Sequence, residues 1–468
     1  MKKTSRNFIS IFLSDGITRI IGFIAIVYIA RVLSVGGFGL INYGLAFISY
    51  ALLFANPGLT IIGAREVAKA PNELRFIEET LTLRLVLAIL IFLIFLLGTR
   101  FIPGDSITRN IIVIYALALF PFAVLLEFVF QGREEMGCIG AGRVIQYFVY
   151  LVILLLFLNQ ARDVMVVPAA FVIGYVVSAV FLFAVFISRY RSFKFRFSIS
   201  KWRTILGASI PVGLAVIFNQ VTISLPPIVL GIFKTNYEVG IFSAGYKIVF
   251  MLLIIERVFY YVFFPILSKQ YKENPEKLIG SFNFLTRFLF MLTIPLALGG
   301  LILATPITEL IYGSEFLGAV NVLRILLLYF MIVPVNTIFG YGLIAIDQEK
   351  KFFKIITITA LISAVLIIIL GIRFSVYGAA LALLVSESIS IVLMKGALMK
   401  KVRFGSAEYL VKPLFAALLM TGFLYILRGW HVILLIIFGI FIYAIVLYMI
   451  KGFVMQDLKN IKDTITAD

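Results

Sequence analysis

The stretch Gly39-Leu40-Ile41-Asn42-Tyr43-Gly44 returns 201 residues later as Gly240-Ile241-Phe242-Ser243-Ala244-Gly245. At nearly the same offset Arg84 returns as Arg287, and a third short match lies 210 residues apart. An internal repeat of about 200 residues in an apolar chain is typical of a transporter with two related halves. The sequence therefore predicts two similar lobes with a substrate path between them.

Composition places this chain in a membrane. It has 468 residues, of which 62% are hydrophobic and 14% are charged. Soluble proteins carry about 45–50% apolar and about 25% charged residues, so much of this surface must face lipid. The 41 Lys and Arg outnumber the 23 Asp and Glu. That excess suits an anionic membrane surface or an anionic substrate, whereas no soluble basic domain is present to bind nucleic acid.

Cysteine and histidine are almost absent. Cys138 and His431 are the sole residues of their types, so no disulfide can form within the chain. A catalytic triad or a histidine-based zinc site is disfavoured for the same reason. We predict no catalytic residue, no metal site and no cofactor.

Fourteen apolar stretches are long enough to span a bilayer, which takes about 20 residues. They lie near residues 8–33, 38–61, 80–98, 109–131, 142–158, 165–187, 205–233, 239–265, 283–304, 319–346, 355–372, 377–398, 413–428 and 432–450. The segments on one side carry 28 Lys and Arg, and the loops on the other carry six. By the positive-inside rule, this predicts a multi-pass protein of the cell membrane with both termini in the cytosol.

The basic segment 188–204 divides the predicted spans. We predict an N-terminal lobe of spans 1–6 (1–187), a C-terminal lobe of spans 7–12 (205–398), and spans 13 and 14 with a cytosolic tail (399–468). Because each lobe has an even number of spans, a pseudo-twofold axis along the membrane normal should relate them. Segment 188–204 could equally anchor the protein at anionic lipid, and the two roles are compatible.

Five cations inside the predicted spans are candidate site residues. A charge at the bilayer centre costs at least about 2.5–3.5 kcal/mol unless it snorkels, pairs or lines water. Arg19 and Lys247 lie about 16 Å and about 12 Å into their spans. Arg84 and Arg287 lie nearer one face and Arg324 nearer the other, where snorkelling is the alternative. We predict a cationic ladder between the lobes, which suits a substrate carrying phosphate or pyrophosphate.

Acidic and amide residues in the spans are fewer. Asp15 lies one turn before Arg19 and can either pair with it or take part in binding a coupling cation. Glu387, near the middle of span 12, has the same two alternatives. Three amides can hydrogen-bond a sugar hydroxyl or merely a neighbouring helix. They are Asn42, Asn219 and Gln220.

Several short runs carry a family resemblance. They are Gly16–Phe23, Tyr28–Ser34, Gly37–Tyr43, Gly63–Lys69, Phe130–Met136, Ile311–Phe316, Val322–Leu326 and Gly342–Ala345. Together they resemble the polysaccharide transporter family, the Wzx-type flippases of the multidrug/oligosaccharidyl-lipid/polysaccharide (MOP) superfamily. The similarity extends from about residue 8 to about residue 400.

The resemblance implies an all-α, V-shaped, MATE-like transporter that works by alternating access, with two helices added to a twelve-span core. It implies that a polyprenyl-phosphate- or polyprenyl-pyrophosphate-linked oligosaccharide moves from the inner to the outer leaflet. In related lipid-pyrophosphate flippases, cationic residues of the first span line the central cavity, and Arg19 stands in the matching region. We expect a monomer whose other partners are membrane lipids and a coupling cation, H⁺ or Na⁺.

Other functions remain open at this point. A multidrug or metabolite exporter of the same superfamily would need an acidic, aromatic pocket, whereas this chain offers basic residues. A membrane glycan polymerase or ligase would need a large outer loop with catalytic residues, and the longest outer segment covers only 305–318. A passive scaffold would not need central charges. The sequence therefore favours a transporter over an enzyme.

Overall fold

The computed structural model is helical throughout. It describes residues 2–70, 73–190, 193–273, 275–402, 405 and 408–452, apart from the side chains of 2–9, 215, 219, 255–262, 265, 275, 276 and 408. Every regular element in these ranges is a helix. The prediction of an all-helical chain is confirmed.

Seventeen α-helices, joined by turns and short 3-10 segments, make up the described chain. They are α1 (Lys2–Val32), α2 (Val35–Ala55), α3 (Leu59–Lys69), α4 (Leu74–Gly98), α5 (Ser106–Ala116), α6 (Leu119–Ala123), α7 (Glu127–Gly132), α8 (Met136–Phe157), α9 (Val166–Tyr190), α10 (Ile199–Phe233), α11 (Asn236–Leu252), α12 (Ile254–Glu273), α13 (Pro275–Tyr312), α14 (Ala319–Ala345), α15 (Glu349–Met399), α16 (Glu408–Ile426) and α17 (Val432–Met449). Twelve helical stretches in the described ranges are long and apolar enough to cross a membrane. A multi-pass membrane protein is confirmed, and the count of fourteen spans stays a prediction.

Two of the predicted spans, 355–372 and 377–398, fall inside the 51 residues of α15. A straight helix of that length would measure about 76 Å, more than twice the ~30 Å hydrocarbon core. Instead, two helices merge across a kink at Ser375, where φ is 51° and ψ is −135°. A Cβ at Gly378 would lie 1.9 Å from the carbonyl oxygen of Leu370, so the turn requires glycine there.

The contacts group the chain into two compact units, unit 1 (residues 1–240) and unit 2 (residues 241–468). In unit 1, α8 packs along α1 and α9, and α10 packs against α2, α3 and α4. In unit 2, α14 packs against α13 and α15, and α16 packs against α13 and α17. α10 lies in unit 1, whereas the predicted lobes, 1–187 and 205–398, would place most of it in the C-terminal lobe. The lobe boundaries stay a prediction.

Within unit 1, the first glycines of the two repeat copies meet. A Cβ on Gly39 would lie 1.7 Å from the carbonyl oxygen of Asn236, and a Cβ on Gly240 would lie 2.1 Å from that of Val35. The pair Val35 and Asn236 is separated by the same 201 residues as the two glycines. The repeat therefore places glycine where two backbones come closest and no side chain fits.

Candidate functional site

The predicted span 109–131 is interrupted at residues 124–126, between α6 and α7. A helix break leaves carbonyl groups without amide partners, and the bilayer core has no water to replace them. Arg84 of α4 supplies the donors. Its Nη1 donates to the carbonyl oxygen of Leu125 and its Nη2 to that of Phe122, each over 2.8 Å.

Arg84 is almost completely enclosed, with only 2% of its surface exposed. Its guanidinium carbon lies 5.6 Å from the ring centroids of both Phe122 and Phe128, so aromatic faces surround the charge. These contacts show a structural role for Arg84, because its hydrogen bonds stabilise the non-helical turn between α6 and α7. Its part in substrate binding stays a prediction.

The break also places Glu127 at the first position of α7, where it meets Arg143 of α8. Arg143 donates to both carboxylate oxygens of Glu127, from Nε over 3.0 Å and from Nη2 over 2.9 Å. Its Nη1 lies 3.4 Å from Oδ1 of Asp15 on α1. One guanidinium thus joins carboxylates from two other helices, and we call these three residues the Arg143 cluster.

The Arg143 cluster carries one more negative than positive charge when all three groups are ionised. The side chains of Arg143, Glu127 and Asp15 are 40%, 24% and 27% exposed, so the cluster is neither fully buried nor freely solvated. Because two carboxylates share one guanidinium, the cluster keeps an excess of negative charge and is a first candidate for a coupling-ion site. Arg19 lies one turn beyond Asp15 on α1 and is half-buried.

Sequence reasoning misses Arg143, because it lies at the very start of the predicted span 142–158 and is counted with the basic residues of the cytosolic side. In the structure α8 begins at Met136, so Arg143 lies about 10 Å inside the helix. Two signals were available. The apolar run of α8 is long enough for a span even with Arg143 included, and Glu127 inside a predicted span needs a partner.

The amides predicted to contact sugar lie in α2 and α10. Nδ2 of Asn42 donates over 2.8 Å to the carbonyl oxygen of Phe38, one turn earlier in its own helix. Nε2 of Gln220 donates over 2.6 Å to Oγ of Ser224, one turn later. The side chain of Asn219 lies outside the described residues. A role for these amides in sugar binding stays a prediction.

Two of the predicted cations of unit 2 contact the ends or sides of neighbouring helices. Nη2 of Arg287 on α13 donates to the carbonyl oxygen of Gly452, just beyond α17. Arg324 on α14 is exposed, and its Nε donates over 3.3 Å to the carbonyl oxygen of Leu301 on α13. Both guanidinium groups therefore bind backbone carbonyls, as Arg84 does in unit 1.

Lys247 differs from the arginines. It lies in the second half of α11 and is half-buried. Within the described part of the chain, no hydrogen bond or ion pair holds its ammonium group. An ammonium in an apolar helix needs a counter-charge or water, so Lys247 is the clearest candidate for contact with a charged substrate.

Glu387 of α15 lies beside an amide that the sequence did not single out. Nδ2 of Asn336 on α14 donates over 2.6 Å to Oε1 of Glu387 and over 2.8 Å to Oγ of Ser390. Oδ1 of Asn336 is buried and, among the described residues, has no hydrogen-bond partner. Carboxylate, amide and hydroxyl oxygens are the ligand types of hard cations, so this group is a second candidate for a coupling ion.

Comparison with known sequences identifies the family of this chain. Residues 4–271, more than half of the chain, match the family model described as polysaccharide biosynthesis protein. The chain is 23% identical over 399 residues to the capsular polysaccharide biosynthesis protein CapF of Staphylococcus aureus, covering 83% of this chain and 97% of CapF. It is 23% identical over 398 residues to the putative O-antigen transporter of Escherichia coli K12, covering 83% and 95%.

Solved structures show the fold. The lipid II flippase MurJ in an inward closed conformation aligns with a TM-score of 0.78 at 16% identity, over 94% of this chain and 98% of MurJ. An inward-facing MATE multidrug transporter of the MOP superfamily aligns with a TM-score of 0.66 at 15% identity, over 82% and 96%. These structures show the fold, and the family model that matches residues 4–271 shows that the chain belongs to the polysaccharide biosynthesis protein family.

Proposed function

We propose that this protein moves a polyprenyl-phosphate- or polyprenyl-pyrophosphate-linked oligosaccharide from the cytosolic to the outer leaflet of the cell membrane. Membership of the polysaccharide biosynthesis family and the MurJ-like fold support a lipid-linked glycan as cargo. The names of the relatives, a capsular polysaccharide protein and an O-antigen transporter, support a role in the assembly of surface polysaccharide.

The proposal of an anionic head group rests on Lys247, whose ammonium group has no hydrogen bond or ion pair among the described residues. A phosphate oxygen would supply the counter-charge that the described residues do not provide. A charge-assisted hydrogen bond of this kind contributes about 1.5–3 kcal/mol. A cationic drug would be repelled by the same group, so the multidrug exporter that shares this fold is the weaker proposal.

Alternating access and orientation complete the proposal. The two close contacts of Gly39 with Asn236 and of Gly240 with Val35 share one offset, as a twofold axis between the repeats would require. That relation supports two lobes that rock against each other. The 28-to-6 distribution of basic residues supports cytosolic termini. We propose a monomer, since one chain holds both repeats.

We further propose that H⁺ or Na⁺ drives turnover at a carboxylate within the spans. The Arg143 cluster and Glu387 with Asn336 are the two groups that support this, because each holds a carboxylate beside oxygen or guanidinium partners. Neither is a catalytic centre, and the cargo changes leaflet without a covalent step.

The experiment is a binding series on purified protein in nanodiscs with a fluorescent polyprenyl pyrophosphate. We expect Lys247→Gln to weaken binding about tenfold to hundredfold, since about 1.4 kcal/mol corresponds to a factor of ten. Lys247→Arg should retain most of the affinity. Lys351→Gln, an exposed lysine in the first turn of α15, is the matched control and should bind as the unaltered protein does. Equal affinity in all four proteins would reject the anionic cargo.

A further inference from the structure

The segment between α9 and α10 forms a surface that the transport proposal does not use. Residues 193–198 are non-helical and connect two candidate membrane spans, Ala161–Tyr190 and Ile199–Phe218. A short connection between two spans must lie where the membrane meets water. Its side chains are therefore placed at the level of the lipid head groups.

This connection is fixed to α4 through buried acceptors. The backbone amide of Lys194 donates over 2.9 Å to Oε1 of Glu78, whose side chain is only 5% exposed. The backbone amide of Arg196 donates over 3.1 Å to Oγ1 of Thr82, and its Nε donates to the other oxygen of Glu78. Bonds at alternate residues hold the backbone in a defined register rather than leaving it as a loose loop.

Two apolar residues of the connection, Phe195 and Phe197, lie on its exposed side. In an extended chain, neighbouring side chains face opposite sides. Phe195 and Phe197 alternate with Arg196 and are accordingly 63% and 73% exposed, and Ile199, the first residue of α10, is 81% exposed. A backbone fixed to α4 thus presents three large apolar side chains at the membrane surface, where aromatic residues are favoured.

Three exposed cations accompany the apolar residues. Lys194, Lys201 and Arg203 have no ion pair within the described part of the chain. By contrast, Arg196 is bound to Glu78 and serves to hold the backbone. The segment therefore combines free positive charge with apolar side chains at one level, the combination that binds an anionic lipid surface.

We propose that residues 194–203 form a binding surface for anionic phospholipid head groups. Phe195, Phe197 and Ile199 enter the interfacial region of the bilayer. Lys194, Lys201 and Arg203 select lipids with a net negative head group over zwitterionic ones. The bonds to Glu78 and Thr82 pre-arrange the surface, so little ordering is required when lipid binds.

Trp202 is a built-in probe of this surface. Its ring lies 5.8 Å from that of Phe197, and Trp430 is the other tryptophan of the chain. In a Trp430→Phe background, the protein is reconstituted in phosphatidylcholine bilayers containing a fraction of phosphatidylglycerol. Brominated acyl chains are carried either by the anionic lipid or by an equal fraction of phosphatidylcholine. We expect the brominated anionic lipid to quench Trp202 with about fivefold or greater preference, because each cation near the surface contributes about 1 kcal/mol.

Charge neutralisation separates this site from general membrane attraction. Lys194→Gln with Lys201→Gln and Arg203→Gln should abolish the preference for the anionic lipid. The matched control neutralises three exposed lysines elsewhere, Lys350, Lys351 and Lys354, and should keep it. High salt should reduce the preference in the unaltered protein, which tests the proposal without any substitution at the surface. Equal quenching by both lipids, a preference that survives in the first triple variant, or an equal loss in both variants would overturn the proposal.

Discussion

Arg84 in unit 1 and Lys247 in unit 2 are both cations within apolar helices, yet they differ in burial and in hydrogen-bond partners. Arg84 donates two 2.8 Å hydrogen bonds to carbonyl oxygens of a broken helix and is 2% exposed. Lys247 is half-buried, and no described residue binds its ammonium group. A cation within a membrane span can therefore either stabilise the packing of the helices or be available to bind cargo. Its hydrogen-bond partners distinguish the two cases.

The repeat sharpens this difference. In the repeat predicted from the sequence, Arg287 is the counterpart of Arg84, and it also donates to a backbone carbonyl. Its acceptor is Gly452, beyond α17, rather than a break within a neighbouring span. The same predicted repeat makes α14 the counterpart of the broken span 109–131, and α14 runs unbroken over 27 residues with Pro334 inside it. The two arginines thus both donate to backbone carbonyl oxygens, but these acceptors lie in different kinds of segment.

The largest effect should follow from removing Arg84. Arg84→Ala leaves the carbonyl group of Leu125 without a donor and that of Phe122 with only its longer backbone bond from the amide of Leu125, so two charge-assisted bonds are lost at about 1–3 kcal/mol each. We expect the free energy of unfolding to fall by about 2–6 kcal/mol. Lys should restore part of it, since one ammonium cannot reproduce the planar fork. The measurement is an SDS titration in mixed micelles, followed by tryptophan fluorescence.

The control for Arg84 is its repeat counterpart. Arg287→Ala removes the bond to the carbonyl oxygen of Gly452, just beyond α17, rather than a bond to a helix break, and we expect a loss of about 1 kcal/mol. If the two alanine variants unfold at the same SDS fraction, the helix break does not depend on Arg84.

The Arg143 cluster should give an intermediate effect. Arg143→Ala leaves Glu127 and Asp15 without their shared cation. Because Arg143 is 40% exposed, solvent screening limits the coupling with Glu127 to about 0.5–2 kcal/mol. A double-mutant cycle of Arg143→Ala with Glu127→Gln measures this coupling directly. Strictly additive losses would show that the ion pair is not formed in the membrane.

Much of the architecture could be predicted from the sequence. Apolar runs of about 20 residues predicted a helical, multi-pass membrane protein, and the runs near Arg19 and Gly39 predicted the family. Both predictions are confirmed, because hydropathy and local motifs are read along the chain. The kink at Ser375 was also accessible, since two apolar runs flank it.

The partners of the charged residues could not be predicted. Asp15 and Arg143 are 128 residues apart and meet only because α1 packs along α8. Likewise, Asn336 and Glu387 are 51 residues apart and meet through the packing of α14 on α15. Depth within a span can be estimated from the sequence, but the direction of a side chain depends on how the helices pack.

A smaller effect on stability, with a larger one on coupling, is expected at Glu387. Glu387→Gln keeps the size of the side chain and removes its charge, so the free energy of unfolding should change by less than about 1 kcal/mol. Transport in proteoliposomes should lose its dependence on the H⁺ or Na⁺ gradient. Glu349→Gln, exposed in the first turn of the same element, is the control and should keep that dependence. A gradient dependence that persists in Glu387→Gln would leave the Arg143 cluster as the coupling site.

Lys247 should show the smallest effect on stability, and an effect of opposite sign to that of Arg84. Since no described residue depends on its ammonium group, Lys247→Met removes an uncompensated charge and leaves no acceptor unpaired. The free energy of unfolding should stay the same or rise by about 1 kcal/mol, because methionine in a membrane helix carries no desolvation penalty. The SDS titration used for Arg84 measures this, and the same variant should bind the lipid pyrophosphate more weakly. A loss of stability comparable to that of Arg84→Ala would mean that Lys247 also stabilises the packing of the helices. The two cations would then not differ in role.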